Sequence, residues 1–182
     1  NVNWLPAIVV RGEGILFRFD DDKLEQWAKR KDVVNRVSLL VSNFNKARIN
    51  RGQSERPLNP RFILLHTFAH ILINQLSFEC GYGSSAIRER LYCNTESPDL
   101  TMNGVLIYTA SGDSEGSLGG LVRQGVPGNL EAILVSSLHS ARWCSSDPVC
   151  MESRGQGPDS CNLAACHSCG LLPETCCEEG NR

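Results

Sequence analysis

Residues 59–81, NPRFILLHTFAHILINQLSFECG, decide how this chain folds. Asn59 suits the N-cap of a helix, Pro60 the first helical position, where a missing N–H costs nothing, and Gly81 the left-handed residue that stops one. Between these signals the side chains are apolar almost all round, which predicts a helix buried at the centre of the fold. One polar stripe interrupts it: His66, His70, Asn74 and Ser77 recur at helical spacing and share a face. Two histidines one turn apart can present imidazoles to a metal, but the Glu of H-E-x-x-H is missing, which argues against zincin-type hydrolysis. The stripe reads more plainly as a hydrogen-bonded seam against neighbouring elements, with the lining of a functional cleft as the other reading.

Working upstream, the polar segment from Arg51 to Asn59, with Gly52 and Pro57, is a connector. Before it, Val33, Val37, Leu40, Val41 and Phe44 recur at helical spacing from Asp32 to about Asn50, leaving Arg36, Lys46 and Arg48 on other faces. Asp20 to Asp22 offer N-caps for a shorter helix carrying Leu24 and Trp27. Ala7 to Arg11 and Ile15 to Phe19 are β-prone runs separated by Gly12-Glu13-Gly14, a pattern that predicts a hairpin.

Downstream, Gly81 to Ser85 reads as a turn into a short helix bearing Arg88, Glu89 and Arg90. Cys80 and Cys93 read as core thiols. Asn94 to Asn103 reads as a loop, and Gly104 to Ala110, GVLIYTA, as a buried strand. Ser111 to Gly120 is glycine-rich and follows that strand, but it lacks the Lys of a phosphate-binding P-loop, and Asp113 and Glu115 would repel phosphate. No nucleotide is expected to bind this chain. A last helix from Asn129 to about Trp143 places Leu130, Ile133, Leu134 and Leu138 in the core, leaves His139 as an ordinary histidine and delivers Cys144 at its end.

Seven of the nine cysteines then crowd the tail: Cys144, Cys150, Cys161, Cys166, Cys169, Cys176 and Cys177. Cys166 and Cys169 form a C-x-x-C knuckle able to grip one Zn²⁺, and Cys144 and Cys150 lie upstream across a loop that costs little to close. That spacing fits a tetrahedral S₄ site. A disulfide framework suits the odd count and the missing signal stretch poorly. Redox C-x-x-C chemistry lacks its βαβ setting, an iron–sulfur cluster could use the same four thiolates, and His167 could replace one of them. Beyond Cys144 apolar residues are few, so zinc binding would serve as folding free energy for the tail. About one zinc per chain is expected.

Composition bounds the rest. The chain has 182 residues, 41% of them hydrophobic, about one domain's worth, and no apolar run reaches the roughly 18 residues of a membrane span. A soluble, cytoplasmic protein with no membrane partner is expected. Asn1 at one end and CCEEGNR at the other suggest a piece of a longer polypeptide. Net charge is −2, yet Lys23 to Arg61 hold ten Lys/Arg against three Asp/Glu. Such a basic stretch can meet a nucleic-acid backbone, or can simply be a solvated helix face. Lys29, Arg30, Lys31, Arg36, Lys46, Arg48 and Arg51 are the candidates for phosphate contact, with Arg88 and Arg90 secondary.

Four blocks in order resemble a known family: LLHTFAHILINQLSFECGYGSSAIRERL, IYTASGDSEGSLGGL, ARWCSSDPVC and NLAACHSCGLLPETCCE, spanning about Pro60 to Glu178. The chain is similar to the MZB zinc-binding domains that end Mrf-type superfamily-2 DNA helicases and the DrmB-type subunits of DISARM anti-phage systems. The resemblance implies a zinc-stabilised accessory domain in DNA repair or phage defence, with a helicase subunit or domain and DNA as partners. It also implies a cysteine quartet, best matched by Cys144, Cys150, Cys166 and Cys169, with Cys177 contending for the fourth place and Cys161 and Cys176 as additions. Helicase motor motifs are absent.

The expected architecture is α+β, helix-rich around a small sheet. It comprises an N-terminal hairpin with basic helices (1–59), a central α/β core (60–143) and a zinc-binding tail (144–182). Two rivals to the accessory reading stand beside it. One is a metal-dependent hydrolase or nuclease drawing on His66, His70, Asp113 and Glu115. The other is a module that binds only protein, with its basic helix buried against another chain.

Overall fold

Helices surround a small sheet in the computed structural model, which describes residues 4–7, 9, 11–83, 85–94, 102–109 and 119–181. In chain order the elements are β1 (Gly14–Arg18), α1 (Asp21–Ala28), α2 (Lys31–Asn50), α3 (Pro60–Cys80), β2 (Ile87–Asn94), β3 (Met102–Thr109), α4 (Gly120–Gln124), α5 (Asn129–Ser140), α6 (Val149–Glu152) and α7 (His167–Gly170). The α+β class is as expected from the sequence.

The 59–81 stretch forms α3 as its signals predict. Asn59 caps the Arg61 N–H, Pro60 opens the helix and Gly81 ends it in the left-handed conformation at φ 70°. Leu65, Ala69, Leu72, Ile73 and Leu76 are fully buried, and Ile87, Val105, Ile107, Leu121 and Ile133 pack with them in one core. Burial of each such Leu, Ile or Val side chain stabilises the fold by about 1.5–3 kcal/mol. On the polar stripe, His70 is buried, His66 and Ser77 are half-buried, and Asn74 is exposed.

The sheet is antiparallel with β3 in the centre, in the order β1-β3-β2. β1 runs Gly14 opposite Tyr108 to Arg18 opposite Gly104, and β2 runs Ile87 opposite Thr109 to Asn94 opposite Met102. Two expectations are corrected here. The 12–14 segment is not a hairpin turn, since among the described residues of 4–11 no strand forms, and Glu13 instead exchanges hydrogen bonds with Thr109 at the end of β3. Gly12 and Gly14 serve that close approach: a Cβ on Gly12 would collide with the Thr109 carbonyl, and one on Gly14 would lie 2.8 Å from the Ile107 oxygen. The helix expected at Arg88–Arg90 is β2. Ile87 and Glu89 alternate inward with Arg88 and Arg90 outward, the period-2 pattern of a strand with one wet face.

Two boundaries also shift. β3 begins at Met102, inside the segment expected to be a loop, and α5 ends at Ser140 rather than Trp143. Residues 110–118, including Asp113 and Glu115, lie outside the described residues. Gly119 takes φ 112° and leads into α4, whose second and third N–H groups, those of Leu121 and Val122, donate to the Glu13 carboxylate at 3.1 and 3.0 Å. The Tyr82 hydroxyl donates to the same carboxylate at 2.7 Å.

The tail docks on two sides. Along the exposed edge of β2, the Glu89 N–H donates to the Cys176 carbonyl at 3.1 Å and the Leu91 N–H to the Glu178 carboxylate at 2.7 Å, while Leu172 and Cys176 enter the core. On α2, Arg36 donates to the Leu163 and Ser153 carbonyls at 2.8 and 2.7 Å, and Asn43 to the Arg154 and Ser160 carbonyls. Arg56 forks onto Glu179 at 3.0 and 2.9 Å. No helix among the described residues is long and apolar enough to cross a membrane.

Candidate metal centre

Three short segments bring four thiols together. Cys144 follows the end of α5, Cys150 sits in α6, Cys166 caps α7 and Cys169 lies one turn into it. The four sulfurs lie within 4.8 Å of one another. Cys144 Sγ is 3.4 Å from Cys166 Sγ, Cys166 Sγ 3.7 Å from Cys169 Sγ, and Cys169 Sγ 3.8 Å from Cys150 Sγ. A tetrahedral ion with bonds of about 2.3 Å holds its sulfurs about 3.8 Å apart, so the donor set fits Zn²⁺.

Local backbone geometry prepares these sulfurs for negative charge. The Ser146 N–H points at Cys144 Sγ (3.4 Å), the Ser168 N–H at Cys166 Sγ (3.3 Å) and the Cys166 N–H at Cys169 Sγ (3.3 Å). Burial works against the Cys166 thiolate, but hydrogen bonds from Cys144 and from the Ser168 and Cys169 backbones outweigh it and hold Cys166 down at about 6. Burial and hydrogen bonding to Cys166 and Cys144 push Cys150 up to about 12, and Cys169 also rises. Thiols this close ionise together only when a cation neutralises them.

The remaining cysteines divide differently. All nine are free. Burial raises Cys80, Cys93, Cys161 and Cys176, which is the behaviour of packed thiols. Cys177, the contender for the fourth place in the quartet, stands apart from it. The tail carries Cys177 past α7 to α3 and β2, where His66, His70, Glu89 and Cys177 present donor atoms all within 4.8 Å of one another. His66 Nε2 lies 3.0 Å from Cys177 Sγ and 3.3 Å from Glu89 Oε1, and His70 Nε2 lies 3.8 Å from the same oxygen. Burial disfavours a charged His66, but Cys177 and Glu89 outweigh it and raise the imidazole to about 10. Burial likewise opposes the Cys177 thiolate, and the hydrogen bond and charge of His66, with the Asn181 N–H, overcome this and lower it to about 7.

Glu89 is the member of this second group that sequence reasoning missed. The signal was the alternation I-R-E-R-L, which places Glu89 on the same face as Ile87. His66 and His70 therefore turn toward Glu89 and Cys177, and on their other side line a cavity of about 80 Å³ beside Phe62 and Ala165.

The basic candidates have mixed fates. Lys29 pairs with Glu25, Arg30 with Asp32, Arg51 with Asp159 and Arg90 with Glu178. Arg36 binds tail carbonyls, and Arg48 donates to the Ser54 carbonyl at 2.7 Å and lies over the Phe44 ring. Lys31, Lys46 and Arg88 are exposed and make no ion pair among the described residues.

A family model described as the MrfA Zn-binding domain matches residues 68–170, a span that holds the whole sulfur quartet but neither His66 nor Cys177. The chain is also 40% identical over 184 residues to the DISARM protein DrmB of Bacillus paralicheniformis. That alignment covers 99% of this chain and 32% of the relative, so the chain spans about a third of the relative's length.

Proposed function

The chain belongs to the MrfA Zn-binding domain family, and on that premise we propose that it is a zinc-stabilised accessory domain of a helicase-associated DNA-processing complex, DrmB-like and acting in prokaryotic phage defence in the cytoplasm. The observation that carries this reading is the sulfur quartet, because it closes three loop-rich segments onto one point where few apolar side chains could hold them. Cys144, Cys150, Cys166 and Cys169 would hold the ion. Bound Zn²⁺ supplies a four-way cross-link with no position left for substrate. The chain's own residues then transmit that constraint: α7 carries Cys169 and is capped by Cys166, and Leu172 and Cys176 just beyond it anchor in the core.

In this reading α2 faces two ways. Arg36 and Asn43 grip the tail, while Lys31 and Lys46, with Lys29 and Arg30 at the α1–α2 junction, offer positive charge to a phosphate backbone. A helicase subunit is the proposed protein partner. The test is a DNA titration of the full chain within its complex across salt concentrations. Replacing Lys31 and Lys46 by Gln is expected to weaken binding and to reduce the slope of log K against log salt by about 0.9 for each phosphate left unneutralised. An unchanged slope, or no binding at low salt, would overturn the DNA part of the reading.

A further inference from the structure

We propose that His66, His70, Glu89 and Cys177 form a second, buried metal site with a mixed nitrogen, oxygen and sulfur donor set suited to Zn²⁺. This goes beyond the quartet and does not depend on the accessory reading. The site joins α3, the inward face of β2 and the end of the tail, three parts of the chain that supply no quartet ligand.

Geometry supplies the first argument. Tetrahedral ligands at about 2.0–2.3 Å from an ion lie about 3.3–3.8 Å from one another, and the donor separations here are 3.0, 3.3 and 3.8 Å. His66 and His70 stand one turn apart on one face of α3, the spacing that lets a helix present two imidazoles to a single point.

Orientation supplies the second. His70 Nδ1 lies 2.5 Å from the Gly170 carbonyl, an acceptor, so Nδ1 carries the proton and Nε2 is left as a lone pair aimed into the group. A ligating histidine is usually fixed in this way, by a carbonyl on its other nitrogen. The anionic members are attended too: the Glu178 N–H donates to Glu89 Oε1 at 3.0 Å and the Asn181 N–H to Cys177 Sγ at 3.1 Å.

Unmet bonding supplies the third. His70 Nε2 and Glu89 Oε2 are buried without a hydrogen-bond partner, on residues that are only 7% and 4% exposed. Buried polar atoms are ordinarily satisfied, so two orphans in one group require an explanation. A proton on His66 joins that imidazole to Glu89 and Cys177 but leaves both orphans as they are. A divalent cation accounts for them: it accepts the His70 lone pair, draws in the carboxylate and balances one carboxylate and one thiolate with two neutral imidazoles. With four protein donors the site would be closed, and its role would be to bolt the end of the tail to the central helix.

The decisive measurement is metal content by mass spectrometry on the full chain purified without chelators, joined to X-ray absorption at the zinc edge. Roughly two equivalents per chain are expected, with scattering from five sulfurs and two imidazoles shared between two ions. Cys177→Ala and Glu89→Gln should each lower the content from two to one and remove the imidazole scattering while the four-sulfur shell remains. Cys169→Ser should remove the sulfur-rich ion instead, so failure of one site is distinguishable from failure of the other. A single equivalent with pure sulfur coordination in the unaltered chain, a reading that needs no variant to fold, would overturn the proposal. So would two equivalents that persist in Cys177→Ala.

Discussion

The sulfur quartet and the mixed group are built in opposite ways. The quartet is local: its four thiols fall between Cys144 and Cys169, on turns and helices of one or two turns, and three backbone N–H groups point at its sulfurs. The mixed group is long-range, with His66 and Cys177 separated by 111 positions, and it sits against the core with two polar atoms unmatched. A local site can be specified by spacing and short-range backbone geometry. A long-range site exists only after the sheet and central helix have assembled, so it reports on the completed fold.

The strongest way to break this comparison is to remove a quartet ligand. Cys169→Ser is expected to release the quartet's metal and unfold the segment from Cys144 to Cys169 that the quartet closes. Structural zinc in small domains contributes roughly 10–16 kcal/mol of apparent binding free energy, comparable to a whole domain's stability of about 5–15 kcal/mol. Thermal melting with metal analysis checks it; a cooperative melt at the original temperature would place the tail's stability elsewhere.

Next in size is Glu89→Ala, which strips the mixed group of its carboxylate and leaves His66 and His70 without their partner. Breaking a buried charge pair costs about 3–5 kcal/mol, and chemical denaturation should register that loss without affecting the quartet's metal. Should the quartet's metal also be lost, the two groups are coupled, through α7 and the Gly170 carbonyl that binds His70.

Arg36→Ala sharpens the contrast from the α2 side. Hydrogen bonds to a charged donor are worth about 1.5–3 kcal/mol, so removing the two bonds to tail carbonyls should lower stability on that order. The salt dependence of DNA binding should change less than in the Lys31 and Lys46 variants. A larger change in the salt slope than in stability would return Arg36 to the nucleic-acid surface.

The smallest expected effect lies away from both groups. Burial raises the Glu13 carboxyl, but the Tyr82 hydroxyl and the Val122, Leu121 and Gly119 N–H groups outweigh it and lower its pKa. A depressed carboxylate contributes stability that is present above the ordinary value of 4.5 and is lost as pH falls through the lower folded value. Glu13→Gln should therefore flatten the acid limb of the stability profile and leave metal content unchanged. An unaltered acid limb would mean that the α4 cap contributes nothing measurable.

Legibility followed the same division. The ends of α3 were legible because Asn59, Pro60 and Gly81 act through their own backbone preferences. The quartet was legible because cysteine spacing and metal geometry are both short-range. β2 was misread because Arg88, Glu89 and Arg90 resemble an exposed helical turn, and nothing nearby indicates that Glu89 faces two histidines from another element. The 12–14 segment was misread for a related reason. Its two glycines suit a turn, yet here they admit the β3 backbone, and Glu13 between them caps a helix more than a hundred positions away. Cys177 contends for the quartet on the family resemblance alone, whereas the chain path beyond α7 carries it to His66, His70 and Glu89 instead.

By itself, then, the sequence determined a buried central helix with marked ends, an α+β composition and four thiols spaced for one tetrahedral ion, all consequences of interactions within a few turns of chain. Tertiary structure alone decided that residues 87–94 are a strand, that the tail closes the sheet edge, and that Glu89 and Cys177 meet His66 and His70. Such meetings depend on which buried charge finds which partner once distant segments pack, and no local preference encodes that choice.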